Sequence, residues 1–145
     1  MTIRLSSETL HASTVALDGR AVLICGPSGS GKSDLALRLL DRGFTLVSDD
    51  QTMVRRSGAG VLASAPPTIA GKLEIRGIGI VQMPTASDVR VTMVVELANE
   101  LQRLPEDARE RTILGLPIPL ISVDARTASA PIKVALALER LGTTA

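Results

Sequence analysis

Short apolar runs and alternating apolar and polar positions recur along this 145-residue chain, and their spacing predicts many strands and few helices. Alternation over Leu10–Leu17, the turn pair Asp18-Gly19 and the apolar run Ala21–Cys25 predict a β-hairpin. Further strands are expected at Thr45–Ser48, at Met53–Arg56 and Val61–Ala63 across the turn "SGAG", at Val89–Leu97 and at Leu120–Val123. Helical spacing is confined to Asp34–Arg42, where Leu35, Leu39 and Leu40 share a face ahead of Gly43, and to Ile132–Leu141, ahead of Gly142. The expected fold is α/β with a strand-rich mixed sheet, unlike the alternating parallel fold common among phosphate-loop enzymes.

Between the first hairpin and the first helix lies "GPSGSGKSD", residues 26–34. Gly26, four residues, then Gly31, Lys32 and Ser33 match the phosphate-binding loop pattern, and the strand before and helix after it are the context the pattern requires. Gly26, Gly29 and Gly31 carry no Cβ, so the backbone can curl around an anion and aim its N–H groups inward. Pro27, Ser28 and Ser30 complete the loop. Lys32 supplies a mobile positive charge for the outer phosphates, and the Ser33 hydroxyl is suited to ligate Mg²⁺. The helix that follows turns its positive end toward the same anion. A nucleoside triphosphate or similar polyphosphate is the expected ligand.

Composition narrows the possibilities. Sixteen Lys and Arg against fifteen Asp and Glu leave a net charge of +1, and a single Phe is the only aromatic residue. Nucleic acid is not an expected partner, because neither a broad basic surface nor a stacking platform is available. Adenine would have to rest on aliphatic side chains. Cys25, the lone cysteine, excludes an internal disulfide and reads as a small buried residue at a strand end. No apolar core follows Arg4 as in a signal peptide, and no uncharged stretch is long enough to span a membrane. A cytoplasmic protein is expected. No repeat or linker divides the sequence, so residues 1–145 are expected to form one domain.

Three groups of residues offer chemistry. Asp49 and Asp50 end the strand after the loop helix, where phosphate-loop enzymes hold a carboxylate that directs Mg²⁺, and adjacent carboxylates can divide metal and proton work. An acidic turn is the plain alternative. His11, the only histidine, stands on the hairpin that delivers the loop; it is either a proton-transfer partner or an ordinary surface or core residue. "LEIRGIGI", residues 73–80, puts Glu74 and Arg76 on one side if the segment is extended, either pairing on an edge strand or meeting a ligand.

His11 upstream of "ICGPSGSGKS", then "DRGFTLVSDD" and "LEIRGIGI", together resemble the catalytic C-terminal domain of the bacterial HPr kinase/phosphorylases. "QRLPE" (102–106) and "ILGLPIP" (113–119) look like the region holding that family's active-site arginine, here Arg103. The resemblance implies a fold related to phosphoenolpyruvate carboxykinases and an ATP- and Mg²⁺-dependent protein kinase. Its substrate would be a regulatory serine of HPr, the phosphocarrier protein of the sugar phosphotransferase system, or of a nitrogen-system paralogue. Many members also remove that phosphate with inorganic phosphate, releasing pyrophosphate. The family is typically hexameric, which implies a homo-oligomer.

By the same resemblance, residues 26–33 cradle ATP, Lys32 stabilises the transferring phosphoryl group, and Ser33 and Glu74 ligate Mg²⁺. Asp50 would be the base for the serine hydroxyl, with Asp49 its close rival, His11 would assist, and Arg103 would steady the phosphates. Two departures stand out. Most relatives carry a separate N-terminal domain that this sequence is expected to lack. A loop reading Pro-Val-Arg-Pro-Gly-Arg in relatives, tied to the reverse reaction, reads Asp124-Ala125-Arg126-Thr127-Ala128-Ser129 here, which leaves Arg126 as its one plausible arginine. A small-metabolite kinase and an inactive nucleotide-binding sensor are the competing possibilities.

Overall fold

The computed structural model describes residues 6–99 and 109–142. Strand β1 (Ser7–Leu10) leads into β2 (Ala12–Leu17) and β3 (Arg20–Cys25), which pair antiparallel. Their connection, Asp18-Gly19, has φ of 51° and 74°, positive at both positions, which suits the twist of a two-residue hairpin. All of Ala21–Cys25 is buried, because Val22 and Ile24 face one core and Ala21, Leu23 and Cys25 face the other. Burial on both faces is why this strand reads as an unbroken apolar run.

Helix α1 (Lys32–Leu40) follows the loop, and then come β4 (Thr45–Ser48), β5 (Thr52–Ser57), β6 (Gly60–Ser64), β7 (Lys72–Ile75), β8 (Gly79–Gln82), β9 (Val89–Leu97), β10 (Arg109–Ile113), β11 (Leu116–Val123) and α2 (Ala130–Gly142). The main sheet runs β1-β5-β6-β9-β3-β2-β4. On one edge β9 lies parallel to β3; on the other, Val89 and Arg90 pair antiparallel with β6 while Val94–Leu97 pair parallel with β11. The mixed, strand-rich α/β sheet expected from the sequence is therefore present.

Both helices cover the same core. Leu35, Ala36 and Leu39 of α1 join Ala130, Val134 and Leu138 of α2 over Val22, Ile24, Met93 and Val95. Leu138 is fully buried, so Leu138→Ala should cost about 2–5 kcal/mol.

The structure corrects several sequence expectations. α1 spans Lys32–Leu40 rather than Asp34–Arg42: Gly31, at φ 102°, delivers the chain straight into the helix, and the N–H groups of Arg42 and Gly43 bond back to Leu39 and Leu40 in a closing turn. "LEIRGIGI" is not one extended segment. Ile78 N–H bonds to the Ile75 carbonyl, Gly77 and Gly79 take positive φ, and the chain reverses into the two-stranded β7–β8 sheet. Glu74 thus lies on a strand and Arg76 in the turn. β1, β10 and the first half of β11 carry no clear pattern. Pro117 and Pro119 alternate along an edge opposite Thr112 and Glu110, where a missing N–H costs no ladder bond.

Candidate functional site

The loop and the start of α1 form one wall of a cavity of 760 Å³. Ser28, Gly29, Gly31, Lys32 and Ser33 face it from one side and Asp50, Glu74 and the β7–β8 turn from the other. Gly26 stands so close to its surroundings that a Cβ would lie 2.6 Å from Ser30 Oγ and 3.2 Å from Leu97 Cβ. That closeness draws the loop tight.

Lys32 is buried, and its Nζ donates to the carbonyls of Gly26 at 2.9 Å and Pro27 at 3.1 Å. The ammonium is therefore held inside the loop, beside the space its backbone encloses. Ser30 Oγ is buried with no hydrogen-bond partner. A glycine cradle next to a confined cation fits a phosphate group, which would compensate the charge. Leu37 and Ile78 line the cavity farther out and supply the aliphatic surface that a nucleobase would need in this aromatic-poor protein.

The adjacent aspartates occupy opposite environments. Asp49 is only 8% exposed and its Oδ1 accepts hydrogen bonds from Ser33 Oγ at 2.7 Å and Ser13 Oγ at 2.9 Å, while Oδ2 accepts Glu74 N–H at 3.3 Å. With its proton committed to Asp49, the Ser33 hydroxyl keeps its lone pairs free for a cation. Asp50 faces outward, its side chain 61% exposed, and its Oδ1 lies 2.8 Å from His11 Nε2. The two carboxylates, indistinguishable by spacing, are separated by direction.

Glu74 is exposed on β7 and lines the cavity across from Ser33. Among the described residues no group of three or more His, Cys, Asp and Glu is arranged to hold a metal ion. The Ser33 hydroxyl and the Glu74 carboxylate are oxygen donors of the kind Mg²⁺ takes, together with phosphate oxygens and water. Ser33 and Glu74 are the residues that would hold it.

The structure therefore brings together the loop, Asp49, Asp50, His11 and Glu74 from four separate segments. Arg103 falls within 100–108, outside the described residues. Arg76, which the sequence left between an ion pair and a ligand contact, lines the cavity. Ser13 was missed altogether: a serine on a strand carries no motif, and only folding brings its hydroxyl to the aspartates. Cys25 is buried as expected; burial pushes its thiol above the ordinary range although Arg111 Nη1, 3.2 Å from Sγ, works against the shift.

Arg126 is engaged by Asp124. Its Nε and Nη2 lie 3.0 and 2.9 Å from the two carboxylate oxygens of Asp124, and its own N–H also donates to Oδ1. These side-chain and backbone hydrogen bonds hold the Asp124 carboxyl down at about 2. The turn that carries the pair abuts the phosphate loop, since a Cβ on Gly31 would sit 3.2 Å from Ala125 Cβ.

A tight glycine cradle, a buried loop lysine and a split aspartate pair on a strand-rich mixed sheet define a phosphate-loop domain. The family model for the HPr serine kinase C-terminal domain matches residues 4–140, and the chain belongs to that family. Relatives named HPr kinase/phosphorylase include that of Clostridium botulinum, 36% identical over 136 residues, covering 85% of this chain and 45% of the relative. The Chlorobium phaeobacteroides protein is 38% identical over 129 residues, covering 80% and 38%. The chain thus spans less than half the length of these relatives. A solved structure, the Hpr(Ser) kinase/phosphatase of Coxiella burnetii, superposes with a TM-score of 0.81 at 29% identity, covering 95% of this chain and 99% of that one.

Proposed function

We propose that this chain is the catalytic domain of an ATP- and Mg²⁺-dependent kinase that phosphorylates the regulatory serine of HPr or of its nitrogen-system paralogue. The observation that carries the reading is the His11–Asp50 pair, 2.8 Å apart, whose Asp50 lines the same cavity as the phosphate loop. A kinase needs a base where an acceptor hydroxyl can enter, in line with the phosphate to be transferred.

Residues 26–33 would cradle the donor phosphates, and the Lys32 ammonium would leave the Gly26 and Pro27 carbonyls to follow negative charge as it redistributes. Mg²⁺, held by Ser33, Glu74 and phosphate oxygens, would neutralise charge on the transferring group. Asp50 accepts the serine proton as the hydroxyl attacks, and His11 keeps the carboxylate oriented. Asp49, occupied by three hydrogen bonds, holds Ser33 and the Glu74 strand in place. Arg103 steadies the phosphates in the same scheme.

In reverse, Asp50 returns the proton while inorganic phosphate attacks phosphoserine and pyrophosphate leaves. Arg126, engaged by Asp124, has less charge to offer that second anion, so phosphorolysis is the slower direction. A homohexameric assembly in the cytoplasm belongs to the same reading.

Incubation of purified protein with γ-labelled ATP and HPr tests the proposal. Label on HPr is expected. Label on a small metabolite instead would favour a metabolite kinase, and no transfer despite nucleotide binding would favour a sensor.

A further inference from the structure

Two residues after His11, β2 carries a side chain that no motif marks. Ser13 is fully buried and pairs with Ile24 of β3, just ahead of the phosphate loop. Its hydroxyl donates to Asp49 Oδ1 at 2.9 Å and accepts the N–H of Asp50 at 3.1 Å. One oxygen thereby ties the side chain of the first aspartate to the backbone of the second.

The backbone it ties is unusual. Gln51 N–H donates to the Asp49 carbonyl at 2.7 Å, and the residue between them, Asp50, has φ of 66°. A three-residue turn with positive φ at its centre is the rare and strained form of the γ-turn. It separates the aspartates, sending one carboxylate in to Ser33 and the other out to His11. Strained turns persist only where their surroundings over-determine them.

Here the surroundings come from β2 and from the end of β4, where Ser48 Oγ donates to the Gln51 carbonyl across the turn. Thr52 Oγ1, just past the turn, donates to the Ala12 carbonyl and lies 2.8 Å from Thr14 Oγ1. The β2–β4 ladder slips between Thr14 and Val15, immediately before the turn, so regular backbone pairing does not extend through it. Ser13 lies between these two anchors and is the β2 residue that bonds within the turn itself.

We infer that Ser13 is a positioning residue: its hydroxyl holds the γ-turn that aims Asp50 at His11 and the acceptor while keeping Asp49 on Ser33. The catalytic consequence rests on the kinase reading above, whereas the geometry does not. Loss of the hydroxyl should allow the turn to relax, displacing Asp50 without emptying the phosphate loop, which is braced by its own bonds.

The test compares Ser13→Ala and Ser13→Thr in HPr phosphorylation and in amide hydrogen exchange at Asp50. Ser13→Ala should lower kcat on the order of tenfold with KM for ATP within about twofold, and Asp50 N–H should exchange roughly ten times faster. Ser13→Thr, which keeps the oxygen on a β-strand position, should restore both. A wild-type kcat in Ser13→Ala overturns the inference. So does a parallel loss of kcat and ATP affinity that threonine does not repair, since that marks a merely structural residue. Should Ser13→Ala not fold, Ser13→Cys, close in shape but a poor hydrogen-bonding group, takes its place with the same expectations. If wild-type protein transfers nothing to HPr, the kinase reading falls and the Asp50 exchange rates alone decide the role of Ser13.

Discussion

Most of the bonds that shape residues 26–32 are local, whereas the His11–Asp50 pair beside them is held from afar. Lys32 bonds to carbonyls five and six residues back, and Ser30 N–H to the carbonyl of Pro27. His11 and Asp50, by contrast, are 39 positions apart, and their meeting depends on β2, on the turn after β4 and on the Ser13 hydroxyl between them. A locally braced loop should tolerate distant substitutions. A pair assembled across strands should fail when any of its supports shifts.

The sharpest break comes from the loop. Lys32→Ala removes the buried ammonium beside the phosphate cradle, and transfer to HPr should fall by about a thousandfold or more. Circular dichroism should remain native, because the bonds lost are confined to the loop. Turnover near wild type in the folded variant would remove the loop lysine from the mechanism.

Next in size is the split between the aspartates. If Asp50 is the base as proposed, Asp50→Asn removes it but keeps the shape, so kcat should fall on the order of a hundredfold while nucleotide affinity survives. Asp49→Asn should instead weaken Mg²⁺ dependence and lower the melting temperature, since a buried acceptor of three hydrogen bonds is disturbed. The reverse pattern, with Asp49→Asn losing kcat and Asp50→Asn losing metal, would show that exposure does not identify the base.

The smallest effects belong to the turn that abuts the loop from outside. Asp124→Asn should loosen Arg126, which keeps its bond to the Asn99 carbonyl, and raise phosphorolysis a few-fold, measured as pyrophosphate release from seryl-phosphorylated HPr. Wild-type protein that runs in reverse as fast as it runs forward would show that this turn does not limit the reaction. The same variant reports on acid stability. Asp124 titrates at about 2 in the folded protein against an ordinary 3.8, so its stabilisation is complete above about pH 4 and disappears as pH falls through 2. Melting curves of wild type and Asp124→Asn should therefore converge between pH 4 and pH 2; a constant gap would remove this pair as the cause.

Legibility in the sequence followed the range over which each feature is determined. The phosphate loop, the Asp18-Gly19 hairpin and the buried run of β3 are products of neighbouring residues, through glycine placement, turn chemistry and burial on both faces, and contiguous spacing was enough to find them. The β7–β8 reversal was missed because its apolar pattern continues through the glycines; Leu120–Val123 was found, but the first half of β11 was not, because its prolines suit an edge that only the finished sheet defines. Asp49 and Asp50 were found as a pair by position, but their roles were not separable there. Two identical side chains one residue apart differ only in the direction the backbone gives them, and that direction is decided by a turn anchored to β2, 37 residues earlier in the chain. Local pattern therefore determined which residues could bind phosphate, and tertiary structure alone determined which carboxylate is buried against Ser33 and which is left facing His11.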